Sequence, residues 1–229
     1  SLVGSEMCIR DRIYAGRQDM VNMAKYYEGL IQNFPKASPA ALAEAHFLLG
    51  RAAFDQGDFK SSISHMAEAK TLDPQKYGEQ VNVLSVLSYH KLQDVNKLKE
   101  ALETLQKENP SAVARVPDVI PAWLGLQAYG MKDLETADKY MTWATQNDQL
   151  QNVKKVIWRN LAKVRLALKK YDRALVASNN FLKDEDQPYR RADGMLDKAS
   201  ILLGLGKYAD ARKTAEEALA LGVEGPLMA

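Results

Sequence analysis

The sequence predicts an all-α fold, a solenoid of antiparallel helix pairs, from three observations. Small side chains recur at long and nearly constant intervals, apolar residues follow helical spacing inside each interval, and Gly, Asp and Pro stand where helices must turn. The series Met23, Ser62, Leu98, Ala137, Ala174 and Ala211 is spaced by 39, 36, 39, 37 and 37 residues. A second series, Gly50, Val86, Gly125, Ala162 and Ala199, runs ahead of it at the same pace. Periodicity of this kind marks a repeat architecture in which each helix pair buries its apolar face against its neighbours alone.

The elements follow in order. Asp19 to Phe34 reads as a half-unit whose partner helix lies upstream. Ser38-Pro39 supplies an N-cap and a proline at the first helical position, so a first helix begins there. Along it His46, Leu49, Gly50 and Ala53 occupy i, i+3, i+4 and i+7, one face of an amphipathic helix. Gly50 admits the facing helix closely, and Gly57 falls at the stop, where positive φ is favoured. Turns then recur at Gly57-Asp58-Phe59, Lys132-Asp133-Leu134, Lys169-Lys170-Tyr171 and Gly206-Lys207-Tyr208, each placing an apolar residue at the start of a second helix. Pro35, Pro74 and Pro110 close three units. The unit holding Asn82, Ser85, Val86 and Leu98 fits the pattern least well. Gln146 to Asn152 reads as a polar loop, and Gly225 to Ala229 as the opening of a further helix. Trp123, Trp143, Trp158, Tyr171, Phe181 and Tyr208 stand at spacings expected for core.

The stretch from Ala43 to Pro74, with His46-Phe47-Leu48-Leu49-Gly50, Ala53 to Phe59 and Ala69 to Pro74, resembles the tetratricopeptide repeat, and its grammar returns with decay from Ile13 to Gly222. The resemblance implies a right-handed superhelix of about five helix pairs plus the N-terminal half-repeat across residues 13–229; the first twelve residues, which resemble a translated sequencing-library adapter, suggest a fragment of a larger bacterial protein. It implies a protein-interaction scaffold that takes a peptide or helix of a partner in a concave groove lined by first helices. Carried over unit by unit, the groove positions are Glu44, Phe47, Arg51, Phe54 and Asp55, then His90 and Lys91, then Leu126 and Tyr129, then Arg159 and Lys163. No unit carries the Lys and Asn, one turn apart, of the family's dicarboxylate clamp.

Composition and motifs bear on other function classes. The net charge is +2 and no run of five or six like charges occurs, so a nucleic-acid partner is not expected. No apolar run reaches the roughly 18 residues needed to cross a bilayer. Ser1 to Arg12 resembles a translated sequencing-library adapter and is set aside as non-native; it contains Cys8, the one cysteine. His46, His65 and His90 follow no metal-ligand spacing and read as structural or surface residues. Gly204-Leu205-Gly206-Lys207 lacks the spacing and the hydroxyl of a phosphate loop and reads as a turn. Asp184-Glu185-Asp186 and the pair Asp193 and Asp197 read as solvated charge. The sequence therefore predicts no catalytic, cofactor or metal site and a protein or peptide partner. An α/α-toroid enzyme with rim carboxylates and a helical-repeat RNA binder are the alternatives.

Overall fold

In the computed structural model residues 20–146, 151–183 and 185–223 are described. The adapter-like segment with Cys8, Asp19, Asp184, residues 147–150 and Gly225 to Ala229 lie outside them. Every regular element among the described residues is helical: α1 (Met20–Asn33), α2 (Pro39–Asp55), α3 (Phe59–Leu72), α4 (Pro74–Lys91), α5 (Val95–Glu108), a 3₁₀ turn (Pro110–Arg115), α6 (Val119–Gly130), α7 (Leu134–Thr145), α8 (Gln151–Ala167), α9 (Tyr171–Lys183), α10 (Pro188–Gly204) and α11 (Tyr208–Val223). The chain divides into two compact units, 1–116 and 117–229. Unit 1 stacks α1, the hairpin α2/α3 and the hairpin α4/α5; unit 2 stacks α6/α7, α8/α9 and α10/α11. The fold class is the all-α, tetratricopeptide-like solenoid.

The hairpin turns are built alike. At each, one residue has positive φ: Gly57 at 83°, Gln93 at 56°, Lys132 at 63°, Lys169 at 57° and Gly206 at 73°. Its amide bonds back three residues and the next amide bonds back five, as in Gly57 N to Phe54 O (3.0 Å) and Asp58 N to Ala53 O (2.9 Å). This is the Schellman closure of a helix C-terminus. The following residue caps the second helix in three turns, where the carboxylates of Asp58, Asp94 and Asp133 accept from Ser61 N, Lys97 N and Thr136 N at 3.0 to 3.2 Å. Between α3 and α4 a single residue serves both ends. Asp73 N donates to Ala69 O, its carboxylate accepts from Lys76 N, and Pro74 takes the first helical position.

The repeat register places the small residues at helix crossings. Ser62, Leu98, Ala137 and Ala174 are fully buried, and Ala211 is nearly so. A Cβ on Gly50 would lie 3.0 Å from Met66 Cγ and 3.2 Å from Ser62 O, so glycine sets how closely α2 and α3 approach. The longer interval between Leu98 and Ala137 contains the 3₁₀ turn, which inserts one extra turn of chain after α5.

Two expectations need correction. Gln151 and Asn152 belong to α8 rather than to a loop, since the helix that carries Ile157, Trp158 and Leu161 begins at Gln151. Tyr208 is 70% exposed, not core. Its counterpart Tyr171 lies against Gly204, where α10 passes over it, whereas no described helix follows α11. Phe181 is buried, and Trp158 packs on the cluster of Phe181, Leu182, Met195 and Ala218.

Candidate functional site

On α2, the residues one step round from the crossing glycine turn toward α4. Phe47, Arg51, Phe54 and Asp55 sit at i, i+4, i+7 and i+8 and so share one face. Across from them α4 presents Gln80, Val83 and Leu84, and the 3₁₀ turn adds Arg115. Together these eight residues enclose an open cavity of about 370 Å³ within unit 1. Its floor is apolar and its aromatic walls are held in place. Phe47 stacks on Tyr77 with ring centres 4.7 Å apart, and Phe54 meets Phe59 edge to face at 5.4 Å.

The rim is charged. Arg115 Nη1 is tied to Glu79 Oε1 at 2.7 Å. Arg51 is exposed, and no carboxylate pairs with it among the described residues. One turn before the cavity Glu44 lies 3.7 Å from Lys76, whose ammonium sits 4.9 Å from the centre of the Tyr77 ring. The hydrogen bond to Tyr77 and then the Glu44 charge push the Lys76 pKa up. A cavity with this lining can hold an apolar side chain in its floor and an anion at Arg51; its groups are suited to recognition.

The remaining groove positions fall elsewhere. His90 and Lys91 stand at the C-terminal end of α4 beyond the cavity, and burial followed by the Lys91 charge lowers the His90 pKa. Leu126 and Tyr129 pack against the core cluster of unit 2. Arg159 and Lys163, one turn apart on α8, meet Asp193 and Asp197, one turn apart on α10. Arg159 Nη2 is 3.1 Å from Asp193 Oδ2, while Arg159 Nε and Lys163 Nζ are each 3.6 Å from Asp197 Oδ2. The guanidinium also rests 5.8 Å from the centre of the Phe181 ring. The Asp193 and Asp197 pair therefore neutralises two cations rather than standing free in solvent. Glu185 is 3% exposed, not solvated, with Oε1 accepting from Gln187 N at 3.1 Å.

Gln80, Val83, Leu84 and Arg115 were not among the expected groove residues. Val83 precedes Val86 by three, as Phe47 precedes Gly50, so the register of α4 could have supplied it once Val86 stood for the glycine. Arg115 had no such signal, because it rides on the turn that interrupts the repeat.

Among the described residues no three His, Cys, Asp or Glu side chains cluster to hold a metal ion, and no helix is long and apolar enough to cross a membrane. A family model for the tetratricopeptide repeat matches residues 43–76, the α2/α3 hairpin with the start of α4. No curated protein sequence matches the chain. Among solved structures the chain is similar to BtubC (BKLC) from P. vanneervenii, at 16% identity over 90% of this chain and 89% of that one, with a TM-score of 0.42. It is similar to pilF of Pseudomonas aeruginosa at 19% identity over 80% and 78%, with a TM-score of 0.41. It is also similar to YrrB, a tetratricopeptide-repeat protein with an unusual peptide-binding site, at 11% identity over 88% and 94%, with a TM-score of 0.48. Residues 43–76 thus match a tetratricopeptide repeat, and the other four hairpins close their turns in the same way as this one, in keeping with a helical-repeat scaffold.

Proposed function

We propose that the chain acts by binding rather than catalysis, and that the α2/α4 face of unit 1 holds a peptide or helix of a partner protein. The partner sets an apolar side chain on the floor made by Phe47, Phe54, Val83 and Leu84, and a neighbouring carboxylate meets Arg51. The observation that carries this reading is the cavity lined by Phe47, Phe54, Val83 and Leu84, with the Arg51 guanidinium, unpaired among the described residues, at its rim. Gln80 and Asp55 offer the partner's backbone an amide and an acceptor. Burying one apolar side chain contributes about 1.5–3 kcal/mol, and a charge-assisted hydrogen bond about as much. Together they suit a reversible contact rather than a permanent one. The groove positions of unit 2, with Arg159 and Lys163 already held by carboxylates, contribute less. No cofactor or nucleic acid enters this reading.

The test is selection of binders from a random displayed peptide library against the immobilised chain. Fluorescence anisotropy of the selected peptides on wild type and variants follows. Selected peptides should share an apolar residue beside an acidic one, and Arg51→Glu or Val83→Lys should weaken them by about tenfold or more, a loss of about 1.4 kcal/mol. Arg159→Glu should leave them unchanged. Peptides that bind both unit 1 variants as tightly as wild type would remove the assignment.

A further inference from the structure

We infer that His46 and His65 form a two-nitrogen site for a divalent first-row transition metal, with Cu²⁺ bound most tightly. Their Nδ1 atoms lie 3.0 Å apart across the α2/α3 hairpin, with ring centres 5.2 Å apart and planes tilted by 44°. The spacing is held by the backbone. His46 is one turn before Gly50 and His65 is three residues after Ser62, so the rings flank the crossing where the two helices approach most closely. Two imidazole nitrogens at this separation can share a proton or share a metal. With metal–nitrogen bonds of about 2.0–2.1 Å, the separation of 3.0 Å corresponds to an angle of about 95° at the metal. That is closer to the cis angle of tetragonal Cu²⁺ or Ni²⁺ than to the tetrahedral angle Zn²⁺ prefers, and Cu²⁺ stands highest in the order of divalent affinities.

The surroundings favour a bound cation. Among the described residues each ring has only the other as hydrogen-bond partner. Both are half-buried, so solvent reaches the pair and water can fill the remaining coordination positions. Glu68 acts on both rings and Glu28 and Asp58 act on His65, so α1 and α3 bring negative charge from two sides. Burial lowers both histidine pKa values, aided at His46 by the neighbouring ring, which keeps the imidazoles neutral and able to ligate near pH 7. A metal held by α2 and α3 together binds the folded hairpin more tightly than the unfolded chain, so it raises the melting temperature.

The experiment uses the untagged chain, stripped with chelator and titrated with CuCl₂, read by calorimetry, electron paramagnetic resonance and thermal melting. One equivalent should bind with hyperfine splitting from two nitrogens, and melting should move upward. His46→Gln and His65→Gln should each weaken binding by roughly a hundredfold, the gain a second intramolecular contact brings, and leave one nitrogen. His90→Gln should change nothing. Should either Gln variant fail to fold, protection of His46 and His65 from diethyl pyrocarbonate by Cu²⁺ in the wild type decides in its place. Unchanged affinity in both variants, a spectrum without two nitrogens, or both rings still reactive in the presence of Cu²⁺ would overturn the assignment.

Discussion

The two units share a scaffold but place their ion pairs at different depths. In unit 2 the cations are answered from within. Arg159 and Lys163 meet Asp193 and Asp197, while Arg165 and Lys170 meet Asp138. In unit 1 the pairs Lys70–Glu108, Lys76–Glu44 and Arg115–Glu79 lie near solvent, and α2 and α4 line a cavity of mixed polarity with Arg51 at its rim. Repeat architecture accounts for the difference. Crossing positions must stay small for helices to stack, whereas the surface positions between them are free to vary, so function resides in what each unit places there.

The largest effect tests how far unit 2 depends on its internal pairing. Asp138 accepts from Arg165 Nε at 2.8 Å and from Lys170 Nζ at 2.9 Å, and Arg165 also donates to Thr142 Oγ1 and Arg173 O. Burial raises the Asp138 pKa, but the bonds from Lys170 and Arg165 outweigh it and hold the carboxyl below its usual value. Asp138→Ala leaves the Arg165 guanidinium buried without its carboxylate and should cost about 3–5 kcal/mol in denaturant unfolding. In unit 1, Glu108 binds Lys70 and Asn82 at a more exposed place, so Glu108→Gln should cost only about 0–1 kcal/mol. Equal losses would mean the units are not built differently.

A second contrast lies at the crossing glycines. A Cβ on Gly125 would stand 2.7 Å from Met141 Cγ and 2.9 Å from the Met141 amide nitrogen, whereas on Gly50 it would meet the Met66 side chain at 3.0 and 3.1 Å and backbone, the Ser62 carbonyl oxygen, only at 3.2 Å. Backbone cannot yield as a methionine side chain can. Gly125→Ala should therefore destabilise by about 1–3 kcal/mol. Gly50→Ala should be near neutral, because the gain in helix propensity of roughly 0.5–1 kcal/mol offsets the tighter contact. Chemical denaturation of the two variants beside wild type decides it.

These contrasts show what the sequence displayed and what it concealed. The period of small residues gave the hairpins and their crossings, because a helix crossing tolerates few side chains and so leaves a mark on composition. Ser38, Gly57 and Gly206 were readable for the same reason, each meeting a demand that few residues meet. The turns at Lys132 and Lys169 were readable from the register, but their left-handed backbone was not, nor was the turn at Gln93, since none of the three has the glycine that would announce it. The Arg159 to Asp193 pairing joins residues 34 apart whose only common feature is a place on neighbouring first helices, and no local pattern reveals it. Arg115 entered the cavity through a 3₁₀ turn outside the repeat.

All three histidines, His46, His65 and His90, belong to unit 1, and this makes acid a selective probe. Burial lowers all three pKa values, so below the ordinary histidine value of about 6.5 the unfolded chain takes up protons that the folded chain resists. Stability then rises with pH across this window and is lost as pH falls through about 6.5 toward the lowered folded values. Carboxylates such as Asp138 and Glu108, whose pKa values are lowered, act only at more acid pH. In chelator, the urea midpoint of unit 1 helices followed by hydrogen exchange should fall between pH 7.5 and 5.5 while that of unit 2 stays in place. A parallel fall in both units would show that histidine burial is not its cause.

The smallest effect concerns the turns, where unit 1 has Gly57 and Gln93 and unit 2 has Lys132, Lys169 and Gly206 at the same left-handed position. A side chain there strains the backbone by about 1–2 kcal/mol, part of which is offset because glycine loses more freedom on folding. Lys132→Gly and Lys169→Gly should therefore stabilise by about 0.5–1 kcal/mol each, and Gln93→Gly by a similar amount. Gly57→Ala is the reverse case and should destabilise through the backbone alone, since a Cβ there meets nothing within 4 Å. Urea midpoints that rise for the three glycine variants and fall for Gly57→Ala would show that the Schellman turn, rather than its surface contacts, sets the stability of every hairpin. If Lys169→Gly gains nothing while Lys132→Gly does, the difference belongs to the neighbouring Lys170, whose ammonium ties the start of α9 to Glu135 and Asp138 on α7 and already secures that turn.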